Sequence, residues 1–194
     1  MDSLLLHICC APCLVYPLEK LEGKLKITGF YCNPNIHPYL EYRKRREALA
    51  DLSRMRSLPV VYPPYILEQY WKPVMKSRED RCLVCYRTRL EATARHAAVH
   101  GFNRISTTLL YSRYQQHEAI RETGERTAAQ YHLDFHYEDF RAGWSRGLKL
   151  SRKLKLYRQS YCGCAFSELE RYRKTGVSAC PQAETGITEG CPEK

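Results

Sequence analysis

The sequence predicts an α/β fold in a single domain, with a mostly parallel open sheet and helices on both of its faces. Two observations indicate this class: short apolar runs recur along the chain, and amphipathic segments of helical length separate them. A chain of 194 residues is also the size of one domain. We expect that domain to span residues 1–174, and a mobile tail rich in Gly, Pro, Thr and Glu to follow over residues 175–194.

The first third of the chain shows the alternation most clearly. The apolar run Leu4–Ile8 predicts a buried strand, and Asn33-Pro34-Asn35 stops the next strand. In order, the pattern predicts a strand at Leu4–Ile8, a helix at Leu14–Leu21, a strand at Lys26–Tyr31, a helix at Tyr39–Arg56 and a strand at Pro59–Tyr62.

The remainder of the chain continues this alternation. In order, it predicts helical or irregular structure at Ile66–Arg81, a helix at Tyr86–His100, a strand at Ile105–Leu110, a helix at Gln116–Tyr131, a strand at His136–Phe140, and helical structure to about Lys174 around the turn Cys162-Gly163-Cys164. Parallel sheets of this kind place their sites beyond the carboxyl ends of the strands. Because Cys9 and Cys10 follow the first strand, we expect a site there.

The charge balance favours a polyanionic partner. Lys and Arg number 31 against 21 Asp and Glu, for a formal charge of +10, and 15 tyrosines offer faces on which RNA bases stack. A basic surface that only aids solubility remains the alternative. No apolar run reaches the roughly 18 residues of a membrane span, and Met1–Ile8 lacks the basic leader of a signal peptide. We therefore expect a cytoplasmic protein that contacts no membrane.

The cysteines are the strongest chemical signal. Seven of the ten fall into three groups, in which the C-x-x-C spacing of metal sites occurs twice: Cys9, Cys10 and Cys13; Cys82 and Cys85; Cys162 and Cys164. In a reducing cytoplasm such grouped thiols indicate metal rather than disulfides. Seven ligands exceed the four of one zinc ion or one cubane cluster, so we expect a cluster with a neighbouring metal, or a cluster with free thiols. Cys180 and Cys191 are interpreted as incidental.

Three other interpretations of the cysteines stay open at this point. They could be buried free thiols, which is plausible for Cys32 alone. One C-x-x-C pair could form a redox-active disulfide, although this leaves two groups without a role. Four thiolates could also hold a structural zinc ion.

Six segments combine cysteines with other distinctive residues. They are His7-Ile8-Cys9-Cys10-Ala11-Pro12-Cys13, Asn33-Pro34-Asn35-Ile36-His37-Pro38, Arg81-Cys82 to Cys85 with Arg89-Leu90, Thr107-Thr108-Leu109-Leu110 with Ser112, Asp139-Phe140, and Leu156-Tyr157-Arg158-Gln159 to Tyr161-Cys162-Gly163-Cys164. Together these segments resemble the QueH-type epoxyqueuosine reductases. The resemblance implies a fold related to the adenine-nucleotide α-hydrolases, although the chain has no Ser-Gly-Gly phosphate loop.

The resemblance also implies a cofactor and a reaction. A 4Fe-4S cluster and an adjacent iron or zinc ion would be held by cysteines of the three groups. The substrate would be tRNA with epoxyqueuosine at the wobble position, reduced to queuosine without cobalamin and with electrons from an unidentified donor. We expect the adjacent metal to polarise the epoxide oxygen and the cluster to deliver two electrons singly.

Six polar residues in or near these segments are the candidate site residues. As catalytic groups we expect His37, Tyr114 and Asp139, and as substrate-binding groups Asn35, His117 and Arg158. His37 is the better acid, because His117 begins a predicted helix whose dipole lowers the histidine pKa. Each could instead have only a capping or supporting role.

Two competing functions follow from the same residues. The first is a non-catalytic, zinc-stabilised RNA-binding module, which would contain zinc and no iron. The second is a nucleotide-hydrolysing tRNA thiolation enzyme. That enzyme needs a glycine-rich loop after the first strand, where this chain has Cys9 to Cys13 instead, so we consider it unfavoured.

Overall fold

A computed structural model of the protein describes residues 3–173. Five parallel strands form one sheet in the order β3-β2-β1-β4-β5, with bounds β1 Ser3–His7, β2 Lys26–Phe30, β3 Val60–Val61, β4 Arg104–Thr107 and β5 Asp134–Phe135. The helices of the described part are α1 Ala11–Leu21, α2 Tyr39–Met55, α3 Glu68–Lys76, α4 Arg81–Val99, α5 His117–Gln130, α6 Trp144–Lys153 and α7 Ala165–Arg173. The predicted tail over residues 175–194, with Cys180 and Cys191, lies outside the described residues.

The side chains of β1 alternate between two hydrophobic cores, one on each face of the sheet. Leu4 and Leu6 pack with residues of α1 and α2, whereas Leu5 packs with alanines of α4 and α5. All three leucines are fully buried. This is the two-residue period of a strand that is covered on both sides. It confirms the predicted α/β class with helices on both faces.

The strand order places the carboxyl end of β1 at the point where the connections diverge. β1 pairs with β2 on one side and β4 on the other, and His7 lies opposite Phe30 and Thr107 in the two registers. The three strands therefore end side by side. In open parallel sheets such a point is where ligand sites form. The loops that leave it begin at Ile8, Tyr31 and Thr108.

Two strand predictions were wrong. One strand is shorter than predicted and the other does not form, because side chains cap 3-10 turns at these positions. The strand predicted at Ile105–Leu110 stops at Thr107, whose hydroxyl accepts a hydrogen bond from the Leu109 N–H and starts a 3-10 turn. The strand predicted at His136–Phe140 does not form. Instead β5 ends at Phe135, and the Asp139 carboxylate caps a following 3-10 turn.

The helix predicted from Tyr86 begins earlier, at Arg81. The Asp80 carboxylate accepts a hydrogen bond of 2.6 Å from the Cys82 N–H and so caps the first turn of α4. Cys82 and Cys85 therefore lie inside a helix rather than before it. Likewise Cys13 lies in the first turn of α1. Three of the grouped cysteines are thus positioned by helix starts.

No helix within residues 3–173 combines the length and the apolar character that crossing a bilayer requires. The longest one, α4, carries several arginines along its 19 residues.

The Asp80 cap generates a stability prediction. We expect Asp80→Ala to lower the free energy of unfolding by about 1 kcal/mol, because the first turn of α4 loses its side-chain acceptor. Urea unfolding of the metal-free protein measures this change. Asp80→Asn is the matched control, since asparagine caps as well as aspartate, and it should stay close to the wild type. Equal losses in both variants would show that charge, rather than capping, matters at this position.

Candidate metal centre

Three thiols meet where β1 passes into α1. The sulfur atoms of Cys9, Cys10 and Cys13, called the cysteine triad below, all lie within 4.8 Å of one another. Cys10 is in an extended conformation immediately before α1, and Cys13 follows three residues later, so both side chains project from the same side of the helix start. The Cys9 and Cys10 sulfurs are 3.9 Å apart.

This spacing fits a single thiolate-bound metal ion. Two sulfurs bound at about 2.3 Å in a tetrahedron lie about 3.8 Å apart. Within residues 3–173, the triad is the one group of three or more potential metal-binding side chains that is this compact. The triad could therefore hold a metal, with its sulfur ligands already assembled by the backbone.

The thiols of the triad differ in pKa. Hydrogen bonds from the Cys10 and Cys13 thiols hold the pKa of Cys9 well below its usual range, assisted by Arg89 and by the Thr108 hydroxyl at 3.3 Å. Hydrogen bonds with Cys10 and Cys9, together with burial, raise the pKa of Cys13. Of the three thiols, Cys9 is therefore the one that loses its proton most readily. Metal binding must release the remaining protons.

The other four grouped cysteines form a second thiol set. Cys82 and Cys85 come from α4, while Cys162 and Cys164 come from the loop before α7, and all four interact electrostatically. Burial raises the pKa of Cys85 to about 12. Cys162 also interacts with Cys9 of the triad. The three groups recognised in the sequence thus lie in one region, as a close triad and a wider set of four.

All eight cysteines of the described part are free thiols. The eighth, Cys32, is buried in the core on the α4 and α5 face of the sheet and belongs to neither set. The redox disulfide considered from the sequence is therefore not formed among residues 3–173.

A buried ion pair on α2, here called the α2 clamp, positions the loop that carries Cys162. Arg45 is bonded to Glu41 at 2.7 Å and donates to the carbonyls of Cys162 at 2.7 Å and Tyr161 at 3.2 Å. At Gly163 the backbone has φ of 144°, which a side chain would strain. The N–H of His37 donates to the Gly163 carbonyl at 2.7 Å. The loop is thus held to α2 by its main chain.

Amide groups donate to sulfurs of both thiol sets. Gln159 Nε2 lies 2.9 Å from the Cys10 sulfur, and Gln115 Nε2 lies 3.2 Å from the Cys162 sulfur. Such hydrogen bonds stabilise thiolates and tune the metals that they bind. Neither glutamine is among the residues predicted for the site, although Gln159 lies in a QueH-like segment, because neither is at a regular spacing from the cysteine that it contacts.

A cavity of about 690 Å³ opens beside the two thiol sets. This volume is within the range of small-molecule sites. Its walls include residues of both thiol sets, the strand-end loops and an aromatic rim: Cys9, Cys13, Cys162, Asn35, Arg89, Tyr111, Tyr114, Trp144 and Arg158. Trp144 stacks on Tyr111 at 5.2 Å and meets the ring of Tyr114 edge-on at 5.6 Å. Tyr114 itself is 85% exposed, so its ring is free for contact.

The chain matches a known protein family over nearly all of the described residues. A family model described as "Epoxyqueuosine reductase QueH" matches residues 4–170. The chain belongs to the QueH family. The matched residues include both thiol sets and all but one of the residues that line the cavity.

Individual QueH proteins resemble the chain over most of its length. The protein of Dehalococcoides mccartyi, named epoxyqueuosine reductase QueH, is 36% identical over 91% of this chain and 98% of its own length. The protein of the same name from Thermotoga maritima is 38% identical over 90% of this chain and 94% of its own. The epoxyqueuosine reductase QueH of Acinetobacter baylyi is 34% identical over 86% of this chain and 80% of its own length. The chain thus matches the first two of these proteins over nearly their whole length.

Three of the six candidate polar residues line the cavity, namely Asn35, Tyr114 and Arg158. His37 does not, since its ring is stacked on Trp71 at 5.1 Å and only 9% of the residue is exposed. Burial lowers the pKa of His37, and its Nε2 has no hydrogen-bond partner within the described chain. His37 therefore lies behind the cavity wall.

His117 and Asp139 lie together at a separate place, neither of them on the cavity wall. His117 begins α5 as predicted, and its pKa is lowered, but burial and the Arg141 charge are the main causes. The Asp139 carboxylate is paired with Arg141 at 2.7 Å, and hydrogen bonds from Arg141 lower its pKa to about 2. Their predicted roles in catalysis and substrate binding stay predictions.

The α2 clamp predicts a stability loss with a matched control. Arg45→Met leaves the buried Glu41 carboxylate without its cation, which should cost about 3–5 kcal/mol of unfolding free energy in urea. Arg43→Met removes an exposed pair with Glu47 on the same helix, and should cost less than about 1 kcal/mol.

A double variant tests whether the charge itself is responsible. Adding Glu41→Gln to Arg45→Met removes the uncompensated carboxylate and should restore part of the loss. If Arg45→Met proved no more destabilising than Arg43→Met, the clamp would not stabilise the loop.

Proposed function

We propose that the chain reduces the epoxide of epoxyqueuosine in tRNA to the alkene of queuosine. The observation that supports this most is the position of two thiol sets, from three distant segments, beside one cavity in a member of the QueH family. A tRNA substrate implies a cytoplasmic protein, and the net charge of +10 suits a polyanion.

The reaction defines what the site must provide. The two C–O bonds of the epoxide break, the two carbons form a double bond, and the oxygen leaves as water after taking up two protons. Two electrons are consumed, and they come from an external donor. The protein must therefore bind the modified base, exclude bulk water from it and supply protons.

Both thiol sets would hold the cofactor: Cys9, Cys10, Cys13, Cys82, Cys85, Cys162 and Cys164. A 4Fe-4S cluster with an adjacent iron or zinc ion supplies single-electron transfer and a Lewis acid when bound. The close sulfur spacing of the triad and the amide donors to Cys10 and Cys162 support this assignment.

The cavity wall would bind the substrate. Arg158 is exposed at the cavity and suits a phosphate. Tyr114 presents an exposed ring next to Trp144, an arrangement on which an unstacked base can lie. Asn35 is fixed deeper in the wall, because its amide oxygen accepts a hydrogen bond from Arg89 at 3.2 Å.

Among the predicted acids, we favour the Tyr114 hydroxyl. It lines the cavity, whereas His37 and Asp139 do not. Asp139, with its pKa of about 2, is ionised at neutral pH and holds no proton to donate. Burial keeps the His37 ring neutral. Both of these residues would then have supporting roles.

Cysteine variants test the proposed reaction. In anaerobically purified protein we expect Cys10→Ala, Cys85→Ala and Cys162→Ala each to lower iron content and epoxide reduction by at least about tenfold. Mutating a residue that only hydrogen-bonds to a metal ligand already has an effect of about this size. Cys32→Ala removes a thiol outside both sets and should keep its iron. Full reduction activity in all three variants would contradict the proposal.

The visible spectrum of the wild-type protein separates the proposal from its rival. Thiolate-bound iron should give a brown protein that dithionite bleaches. A colourless protein that contains zinc and no iron would instead favour a non-catalytic RNA-binding module.

Tyr114 variants separate stacking from proton donation. Tyr114→Ala should weaken binding of an anticodon stem-loop RNA about 5- to 150-fold, the range that one lost base–aromatic stack produces. Tyr114→Phe should bind like the wild type but reduce the epoxide more slowly if the hydroxyl supplies a proton. Tyr39→Ala, at an exposed tyrosine that does not line the cavity, is the control. Unchanged RNA binding by Tyr114→Ala would remove the stacking role.

A further inference from the structure

Arg89 of α4 is a buried cation between the two thiol sets. Only 2% of the residue is exposed, and it lines the cavity. Its Nη1 donates to Asn35 Oδ1 at 3.2 Å and lies 3.7 Å from the Cys85 sulfur. Its Nε and Nη2 are buried and have no hydrogen-bond partner among the described residues. One edge of the guanidinium therefore has no partner, and it is called the open edge below.

The charge of Arg89 has no carboxylate to balance it. Within residues 3–173, no Asp or Glu forms an ion pair with Arg89, and the groups that face it electrostatically are mainly thiols: Cys85, Cys162 and Cys9. The other fully buried arginine, Arg45, is different, because Glu41 and two carbonyls satisfy its guanidinium. A buried arginine without an anion is strongly destabilising unless a ligand provides the negative charge.

We propose that Arg89 is the counter-charge of the metal centre, and that its open Nε–Nη2 edge binds an anionic sulfur of that centre, either a thiolate or an inorganic sulfide. The inference rests on the proposed function. Several thiolates around iron leave a net negative charge that is costly to bury. The guanidinium is always charged, and its fork can donate two parallel hydrogen bonds.

This role gives Arg89 opposite effects in the two forms of the protein. In the metal-free form the Nε–Nη2 edge has no hydrogen-bond partner among the described residues, so removing the cation should not destabilise the fold. In the metal-loaded form its removal leaves the negative charge unbalanced. The loaded centre should then lose metal more readily, and its reduced, more negative state should be disfavoured.

The test compares Arg89→Met with Arg95→Met, which removes an exposed arginine from the same helix. Each protein is reconstituted anaerobically with ferrous iron and sulfide. In Arg89→Met we expect at least about tenfold faster iron release to a chelator. We also expect the ratio of oxidised to reduced centre, measured at the wild-type midpoint potential, to rise about tenfold. For one electron, this rise corresponds to a midpoint potential that is lower by about 59 mV. Arg95→Met should match the wild type.

Urea unfolding of the metal-free proteins completes the test, and Arg89→Met should be at least as stable as the wild type. Arg89→Gln, which keeps a donor toward Asn35, serves as a second neutral variant if the methionine variant does not fold. If iron release and potential are unchanged in a neutral variant that binds iron, this inference alone is overturned. If the wild-type protein takes up no iron, the proposed function fails and the inference fails with it.

Discussion

The parallel pairing of β1 with both β2 and β4 is the constraint on which the rest of the structure depends. It brings three strand ends to the same edge of the sheet, so that the loops that leave them must share one space. His7, the last residue of β1, is fully buried there and bridges the two neighbours. Its ring contacts the Thr107 hydroxyl at 2.9 Å and the Cys32 carbonyl at 3.2 Å. Burial, together with the Arg89 charge, lowers the pKa of His7 to about 3, so the ring stays neutral.

On this base, the two thiol sets are assembled by different means. The cysteine triad is local, because a strand end and a helix start bring its three sulfurs together within five residues of chain. The second thiol set is not local. It needs the start of α4, which Asp80 caps, and a distant loop that the α2 clamp holds by its carbonyls. The geometry of the second set therefore depends on buried polar contacts. Each buried donor or charge in these contacts needs an acceptor or an opposite charge beside it.

Charge compensation connects stability with chemistry in this protein. One buried arginine is satisfied by protein groups and positions a loop, whereas the other has an unpartnered edge and has thiols as its main electrostatic neighbours. The amide groups of Gln115 and Gln159 also point to sulfurs. A site surrounded by donors and poor in carboxylates is suited to an anionic thiolate–metal group. Among these donors, only the Nε–Nη2 edge of Arg89 has no acceptor within residues 3–173.

The sequence by itself determined the fold class, the position of the site after β1 and the identity of the grouped cysteines. These rest on hydrophobic periodicity and on short spacings, which are properties of neighbouring residues. It did not determine the ends of β4 and β5, where the Thr107 and Asp139 side chains cap turns that periodicity does not register. Nor did the sequence show which of the predicted catalytic residues line the cavity. Tyr114 does, whereas His37 and Asp139 do not. Only the tertiary structure decided those positions and the contacts of Arg45, Arg89, Gln115 and Gln159. The physical reason is distance along the chain: Arg45 and Cys162 are 117 residues apart, and Gln159 and Cys10 are 149 apart, so no local pattern records that they meet.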